Sequence, residues 1–127
     1  MVSSTRRNEH VPPSGLAAKM LRFAKSKTIK PYFSAWIEIG GDKIYLRKGV
    51  DGRFHLANWQ FKTKSKGHAR LILDYFEKLV KTDAFPFKGL KVESVGNARF
   101  AAFFRARAGW KEVEDGLPLV PTFLFDA

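Results

Sequence analysis

The chain of 127 residues contains no cysteine. Disulfides, zinc ribbons, iron–sulfur clusters and thiol nucleophiles are therefore excluded, no metal site is assigned, and a reducing setting, the cytoplasm, is expected. Long apolar runs are also missing: none approaches the roughly 18–20 residues of a membrane span, so no membrane partner is expected. The opening stretch MVSSTRRNEHVPP lacks the apolar block of an export signal. Acidic residues are scarce, 12 against 23 Lys and Arg, which leaves a formal charge of +11. That balance favours polyanions as partners, whether nucleic acid, phosphate-bearing small molecules or acidic proteins, and leaves the fold open.

What is plentiful is apolar and aromatic. The chain is 45% hydrophobic and has twelve Phe, too much for a disordered tail and enough for a core. Its length suits one domain and excludes a two-domain enzyme. Charge is uneven along it. Residues 1–31 carry seven bases and one acid, whereas from Lys111 onward there are one base and four acids. Residues 1–13, with Ser and Pro and little apolar content, read as a flexible basic arm, and 14–127 as the domain.

After Pro12-Pro13-Ser14, Leu16 or Ala17, Met20, Leu21 and Ala24 recur at helical spacing with Lys19, Arg22 and Lys25 between them. From Tyr32 the period drops to two. Runs on either side of Gly40-Gly41-Asp42 read as a hairpin, and Phe54–Phe61, after a turn at Val50–Arg53, reads as a third antiparallel strand. Lys62–Arg70 (KTKSKGHAR) is the sharpest change of composition, with basic side chains and no acid. A helix begins there, its apolar stripe Ala69, Ile72, Leu73, Phe76, Leu79 and Val80. Leu90–Val95 reads as a strand. Gly96-Asn97 then caps a helix, Ala98–Ala108, with Phe100, Phe103 and Phe104 inward and its arginines mostly outward, and Gly109 ends it. Trp110–Val113 and Leu117–Phe125 close the chain as strands. The expected fold is a single α/β (α+β) domain, a mixed, mainly antiparallel sheet flanked by helices.

A helix start is an anion site, because its first N–H groups are unpaired and the helix dipole is positive there. Lys64-Ser65-Lys66-Gly67-His68-Ala69 sets such a start among cationic side chains, and Gly67 lets backbone approach phosphate oxygens closely. This run, with Val95-Gly96-Asn97-Ala98-Arg99-Phe100-Ala101-Ala102-Phe103-Phe104 and the closing Gly109-Trp110, resembles the GCN5-related N-acetyltransferase (GNAT) family over about residues 56–112. The first block is similar to that family's acetyl-CoA loop, with Lys64 where it has Gln or Arg. The second is similar to its fifth strand, Asn, last helix and Gly-aromatic pair.

The resemblance implies an acyl-CoA N-acyltransferase fold whose fourth and fifth strands splay apart, so that the cofactor's pantetheine pairs with the fourth. It places Trp59, Gln60 and Phe61 on that edge, Lys64, Ser65, Lys66, Gly67, His68 and Ala69 at the pyrophosphate, and Asn97 near the pantetheine arm. The implied reaction is acetyl transfer from acetyl-CoA to an amine, its acceptor belonging to an acidic macromolecule or its complex. Glu93, and after it His55, are the candidate bases. Small reduced members of the family occur among bacteriophage and bacterial proteins. Two departures bear on this. Phe104 stands where the family often has a proton-donating tyrosine, and the amino-terminal half is shortened to one helix with no first strand. The alternatives are a catalytically silent domain of the same fold, or an unrelated basic α/β domain, binding nucleic acid or a host protein. Trp36 and Trp59 are the candidates for stacking on bases.

Overall fold

Pro12 and Pro13 cannot continue a helix backwards, and Ser14 starts one. Its Oγ accepts the Ala17 N–H at 3.2 Å, satisfying a donor that the first turn leaves unpaired. The helix α1 runs Gly15–Lys25 and buries Leu16, Ala17, Met20, Phe23 and Ala24. Its far end is held by Lys48, whose ammonium donates to the Ser26 carbonyl and hydroxyl, both at 2.8 Å, a cation at the negative end of a helix. These elements belong to a computed structural model of the chain, which describes residues 11–26, 34–49, 51–61, 67–82, 85–93, 98–113 and 120–126. The expected flexible arm lies outside those residues apart from 11–13.

Strands β1 (Ser34–Ile39) and β2 (Asp42–Lys48) form the expected hairpin, joined by Gly40 and Gly41 at φ 62° and 89°. Two successive positive φ values define the tight hairpin turn whose twist matches the strands, and glycine reaches them without strain. Strand β3 (Arg53–Gln60) pairs with β2, and the register shifts so that Ala57 is an extra residue between Leu56 and Asn58. Helix α2 (His68–Val80) follows, then β4 (Gly89–Val92), helix α3 (Ala98–Ala106), β5 (Trp110–Val113) and β6 (Thr122–Asp126). Sheet order is β1-β2-β3-β4-β6-β5. Every pair is antiparallel except β3 with β4. The expected strand 90–95 is shorter, and residues 94–97 lie outside the description. The last helix ends two residues early, and of the expected final strand the described part is Thr122–Asp126, residues 114–119 lying outside the description.

The expectation of helices on the faces of the sheet is corrected to one face, which the three described helices share. Phe23 of α1 and Phe76 of α2 both meet Phe54 of β3, with ring centroids at 6.3 and 5.8 Å. Phe104 of α3 stacks on Phe123 of β6 at 5.2 Å, and Arg107 and Trp110 bond to Glu77 of α2. The row Lys48, Phe54, Leu90, Phe125, Trp110 runs across that covered face. The neighbouring row Ser34, Arg47, His55, Lys91, Leu124, Lys111 points to the opposite one, because side chains alternate along a strand. Among the described residues no helix covers that second face, and none is long and apolar enough to cross a membrane.

Arg107 corrects the outward placement expected of it. It is half-buried, donating to Glu77 at 2.6 Å and to Asp74, and so ties α3 to α2. Gly109 then lets the chain turn into β5. It has φ 88°, and a Cβ there would lie 2.6 Å from the Phe125 ring. Gly109→Ala should lower the unfolding free energy by about 2–4 kcal/mol, from left-handed strain plus a clash in a packed core. Urea denaturation measures this, and a loss below about 0.5 kcal/mol would refute the packing described.

Candidate functional site

Strands β3 and β4 lie side by side at one end only. Parallel pairing joins Arg53 with Gly89, Phe54 with Leu90 and His55 with Lys91. Beyond His55, β3 continues for five residues, whereas β4 ends at Val92. The bulge at Ala57 falls in this stretch, and a bulge bends its strand and adds twist. Among the described residues, no strand pairs with this side of Leu56–Gln60.

On the covered side, a groove of about 400 Å³ opens beside this stretch, lined by Gly67, Ala69, Arg70, Phe100 and Phe103. It joins the start of α2 to the exposed flank of α3. Its aromatic wall is continuous with β3, since Trp59 meets Phe100 edge-on at 5.4 Å and Phe61 at 5.5 Å. Gly67 precedes α2 with φ 101° and meets nothing within 4 Å of where a Cβ would stand, so it leaves space at the helix start. Of the residues that the resemblance assigns to the cofactor, Gly67 and Ala69 line this groove and Trp59 packs on its Phe100, whereas Gln60 and Phe61 line a separate groove with Glu38, Gly41 and Lys43, and His68 turns toward Asp42 and Ser14. Lys64, Ser65, Lys66 and Asn97 lie outside the described residues.

His68 has a defined task. Its Nδ1 is 3.0 Å from Asp42 Oδ2, its Nε2 3.2 Å from Ser14 Oγ, and its ring packs on Phe61 at 5.1 Å. Ser14 Oγ, which also accepts the Ala17 N–H, and the Asp42 carboxylate thus hold the two ring nitrogens between them. The order Ser, His, Asp is that of a hydrolase triad. Here Ser14 is occupied as the cap of α1, and the grooves described do not reach it. The arrangement clasps the start of α1, the start of α2 and the hairpin together.

The two candidate bases meet each other. His55 Nδ1 is 3.0 Å from Glu93 Oε1, and Arg47 donates to the same oxygen at 2.7 Å. His55 Nε2 is 3.1 Å from Asp51 Oδ1. His55 is buried, Glu93 half-buried on the helix-free face, just past the last residue of β4. Among the described residues Glu93 Oε2 takes no hydrogen bond. Gly49 makes the cluster fit, because a Cβ there would strike the His55 ring and the Asp51 carboxylate. Sequence reasoning reached His55 and Glu93 but missed Arg47, Asp51, Asp42, Arg70 and the groove-lining role of Phe100 and Phe103. The signal for Arg47 and His55 was alternation, both being out of phase with Leu46, Phe54 and Leu56.

The same cluster extends to Arg53, which donates to Asp126 at 2.8 Å through two nitrogens and to Asp51 at 3.3 Å. Burial pushes the Asp51 carboxyl up, but hydrogen bonds from His55 and from the Arg53 backbone outweigh it, so Asp51 sits below its usual 3.8. Asp126 is likewise lowered, chiefly by the Arg53 hydrogen bond, against a smaller opposing effect of burial. Phe104, expected where a tyrosine would donate, is fully buried between Phe100, Trp110 and Phe123. No protein-family model matches the chain, and no curated protein matches it in sequence.

Depressed carboxyls stabilise the fold above their unfolded value near 3.8 and lose that contribution as pH falls through their folded values. Both groups are partly exposed, so the total is about 1 kcal/mol. The stability gap between the wild type and Asp51→Asn/Asp126→Asn should be full above about pH 5 and narrow progressively as the pH falls below the ordinary carboxyl value of 3.8. Urea titrations across that range measure it, and a gap independent of pH would refute the assignment.

Proposed function

We propose that the chain binds acetyl-CoA along the parting of β3 and β4 and transfers its acetyl group to an amine. The observation that carries this reading is the short parallel pairing, which stops after His55 beside a groove at the start of α2. The resemblance calls for two neighbouring strands that separate, an anion-binding helix start after the first, and an aromatic-rich helix after the second. The order β3, α2, β4, α3 supports each part. Phosphate oxygens would be received by the first backbone N–H groups of α2, with Arg70 at the rim, and the pantetheine by the unpaired side of Leu56–Gln60.

For transfer, the amine must lose a proton as the carbonyl is attacked. Glu93 is the best-placed acceptor, because its Oε1 is fixed by Arg47 and His55 while Oε2 faces no donor among the described residues. His55 and Arg47 then position the base. Phe104 has no proton to give, so the departing thiolate takes one from solvent. The acceptor belongs to an acidic molecule or its complex, in keeping with the +11 charge. The buried Phe104 also favours a second reading, a domain that binds CoA without turnover.

Calorimetric titration with acetyl-CoA, with ATP as the control for general phosphate attraction, tests the site. Acetyl-CoA should bind at least about ten-fold tighter than ATP, a preference of about 1.4 kcal/mol. Arg70→Glu, on an exposed groove residue, should weaken acetyl-CoA binding by a similar factor without altering stability, and Gly67→Val should abolish it. Equal, salt-sensitive binding of both ligands would reject the cofactor site. With an amine acceptor in hand, Glu93→Gln should lower kcat by about 10²-fold while the acetyl-CoA affinity is kept. Binding without turnover in the wild type would select the silent reading.

A further inference from the structure

The face of the sheet that no described helix covers carries its own constellation. Trp36 of β1 stands on it 46% exposed, opposite Tyr45 of β2, with ring centroids 5.2 Å apart. The Lys43 ammonium lies 4.9 Å from the Trp36 ring centre, and the Arg47 guanidinium 5.9 Å from that of Tyr45. Lys19 reaches the same edge, donating to the Glu38 carbonyl at 3.4 Å. The Tyr45 hydroxyl donates to Ser34 Oγ at 2.5 Å, which fixes the ring against the strand. Beside the rings runs a second groove of about 440 Å³, lined by Glu38, Gly41, Lys43, Gln60 and Phe61. Exposed Asn58 lies across from Tyr45, and exposed Gln60 across from Lys43.

The fold does not explain an indole at this place. The other two tryptophans are half-buried, with Trp59 against Phe61 and Phe100, and Trp110 against Phe104 and Phe125. Burial in those contacts removes Trp59 from the two candidates for base stacking and leaves Trp36. A presented aromatic pair with cations at its rim and amides in the next row matches three parts of a nucleotide. A flat base stacks on the ring, its edge meets the amide, and its phosphate meets the cation. A duplex keeps its base faces inside the stack, so the complementary ligand is a single strand. An acidic protein would satisfy the cations but would give the exposed indole no flat partner.

We propose that the Trp36–Tyr45 face is a binding platform for single-stranded nucleic acid. It uses none of the residues lining the α2–α3 groove, and its central residues Trp36, Tyr45 and Lys43 have no part in the cofactor reading, which shares with it Arg47 and the strand residues Asn58 and Gln60. The strand crosses β1 and β2 with a base on Trp36, phosphates near Lys43 and Arg47, and base edges within reach of Asn58 and Gln60. Affinity falls with salt, as expected when phosphates shed counterions onto lysine and arginine.

The test is fluorescence anisotropy of a labelled oligo(dT) of about 12 nucleotides, a length within the usual site sizes, titrated with the full chain, and with duplex DNA of equal length in parallel. The single strand should bind tighter than the duplex and quench tryptophan emission. Trp36→Ala should weaken binding about ten-fold, whereas Trp36→Phe, which keeps a flat ring, should stay within about three-fold of the wild type. Lys43→Gln should reduce the salt dependence by about one counterion. Thermal unfolding of Trp36→Ala close to the wild type excludes misfolding, and its unchanged acetyl-CoA titration separates this face from the groove. Absence of oligonucleotide binding, equal binding of duplex and single strand unaffected by Trp36→Ala, or a concentration-dependent dimer that buries Trp36 would each overturn the proposal.

Discussion

The parallel pairing that joins β3 to β4 is only three residues long, and Phe54 stands at its centre. Its ring is surrounded by Phe23 from α1, Phe76 from α2, and Phe85 and Phe87 from the segment before β4, at centroid distances of 5.3–6.3 Å. Two of the three described helices and the return of the chain to β4 converge on this one side chain. It is also one of the few β3 residues paired on both sides, with Lys48 and with Leu90. Burying a phenylalanine stabilises a fold by roughly 1.5–3 kcal/mol from its area, with further gain from aromatic neighbours. That stabilisation lies at the paired end. Beyond His55 the bulged strand is paired, among the described residues, on the β2 side.

The helix-bearing side is organised by contacts that cross between elements rather than along them. Arg107 and Trp110 both bond to Glu77, so the end of α3 and the start of β5 are fixed to the middle of α2. Asp42 and Ser14 hold His68, so the start of α2 is fixed to α1 and the hairpin. The groove lies between these two attachments. Its walls are therefore set by α2, which is restrained at both ends, and a cleft with preset walls binds a ligand at lower ordering cost.

The amino-acid pattern revealed the elements more readily than their assembly. The Gly40-Gly41 turn, the α2 stripe from Ala69 to Val80 and the run of Phe100, Phe103 and Phe104 are local signals, and local periodicity is what a single chain displays. Side assignment needed three dimensions. Phe103 and Phe104 are neighbours with the same chemistry, yet Phe104 is sealed in the core while Phe103 lines a groove. Arg105 and Arg107 are two residues apart. Arg105 pairs with Glu112 in solvent, and Arg107 is drawn inward by carboxylates from another helix. The His55 cluster draws on Arg47, Asp51 and Glu93 from separate parts of the chain, and only the register of β2, β3 and β4 brings them together. Pattern alone nominated His55 and Glu93 one at a time, without the hydrogen bond that joins them.

One-sided coverage has a consequence for any group transfer at this site. Donor and acceptor must approach a single carbonyl from different directions. Here the groove opens on the helix side at α2 and α3, while Glu93 lies on the bare side immediately past β4. On the proposed reading, a thioester seated from the helix side would present its carbonyl beyond the end of the β3–β4 pairing, and an amine would reach it from the bare face, where Glu93 would take the proton. Arg47 belongs to both surfaces, bonded to Glu93 on one side and set against the Tyr45 ring on the other. A polyanion lying across Tyr45 would therefore compete with Glu93 for the same guanidinium. The carboxylate would then lose one of the two partners that fix its Oε1, which is a physical route by which the proposed platform and the proposed transfer site would be coupled.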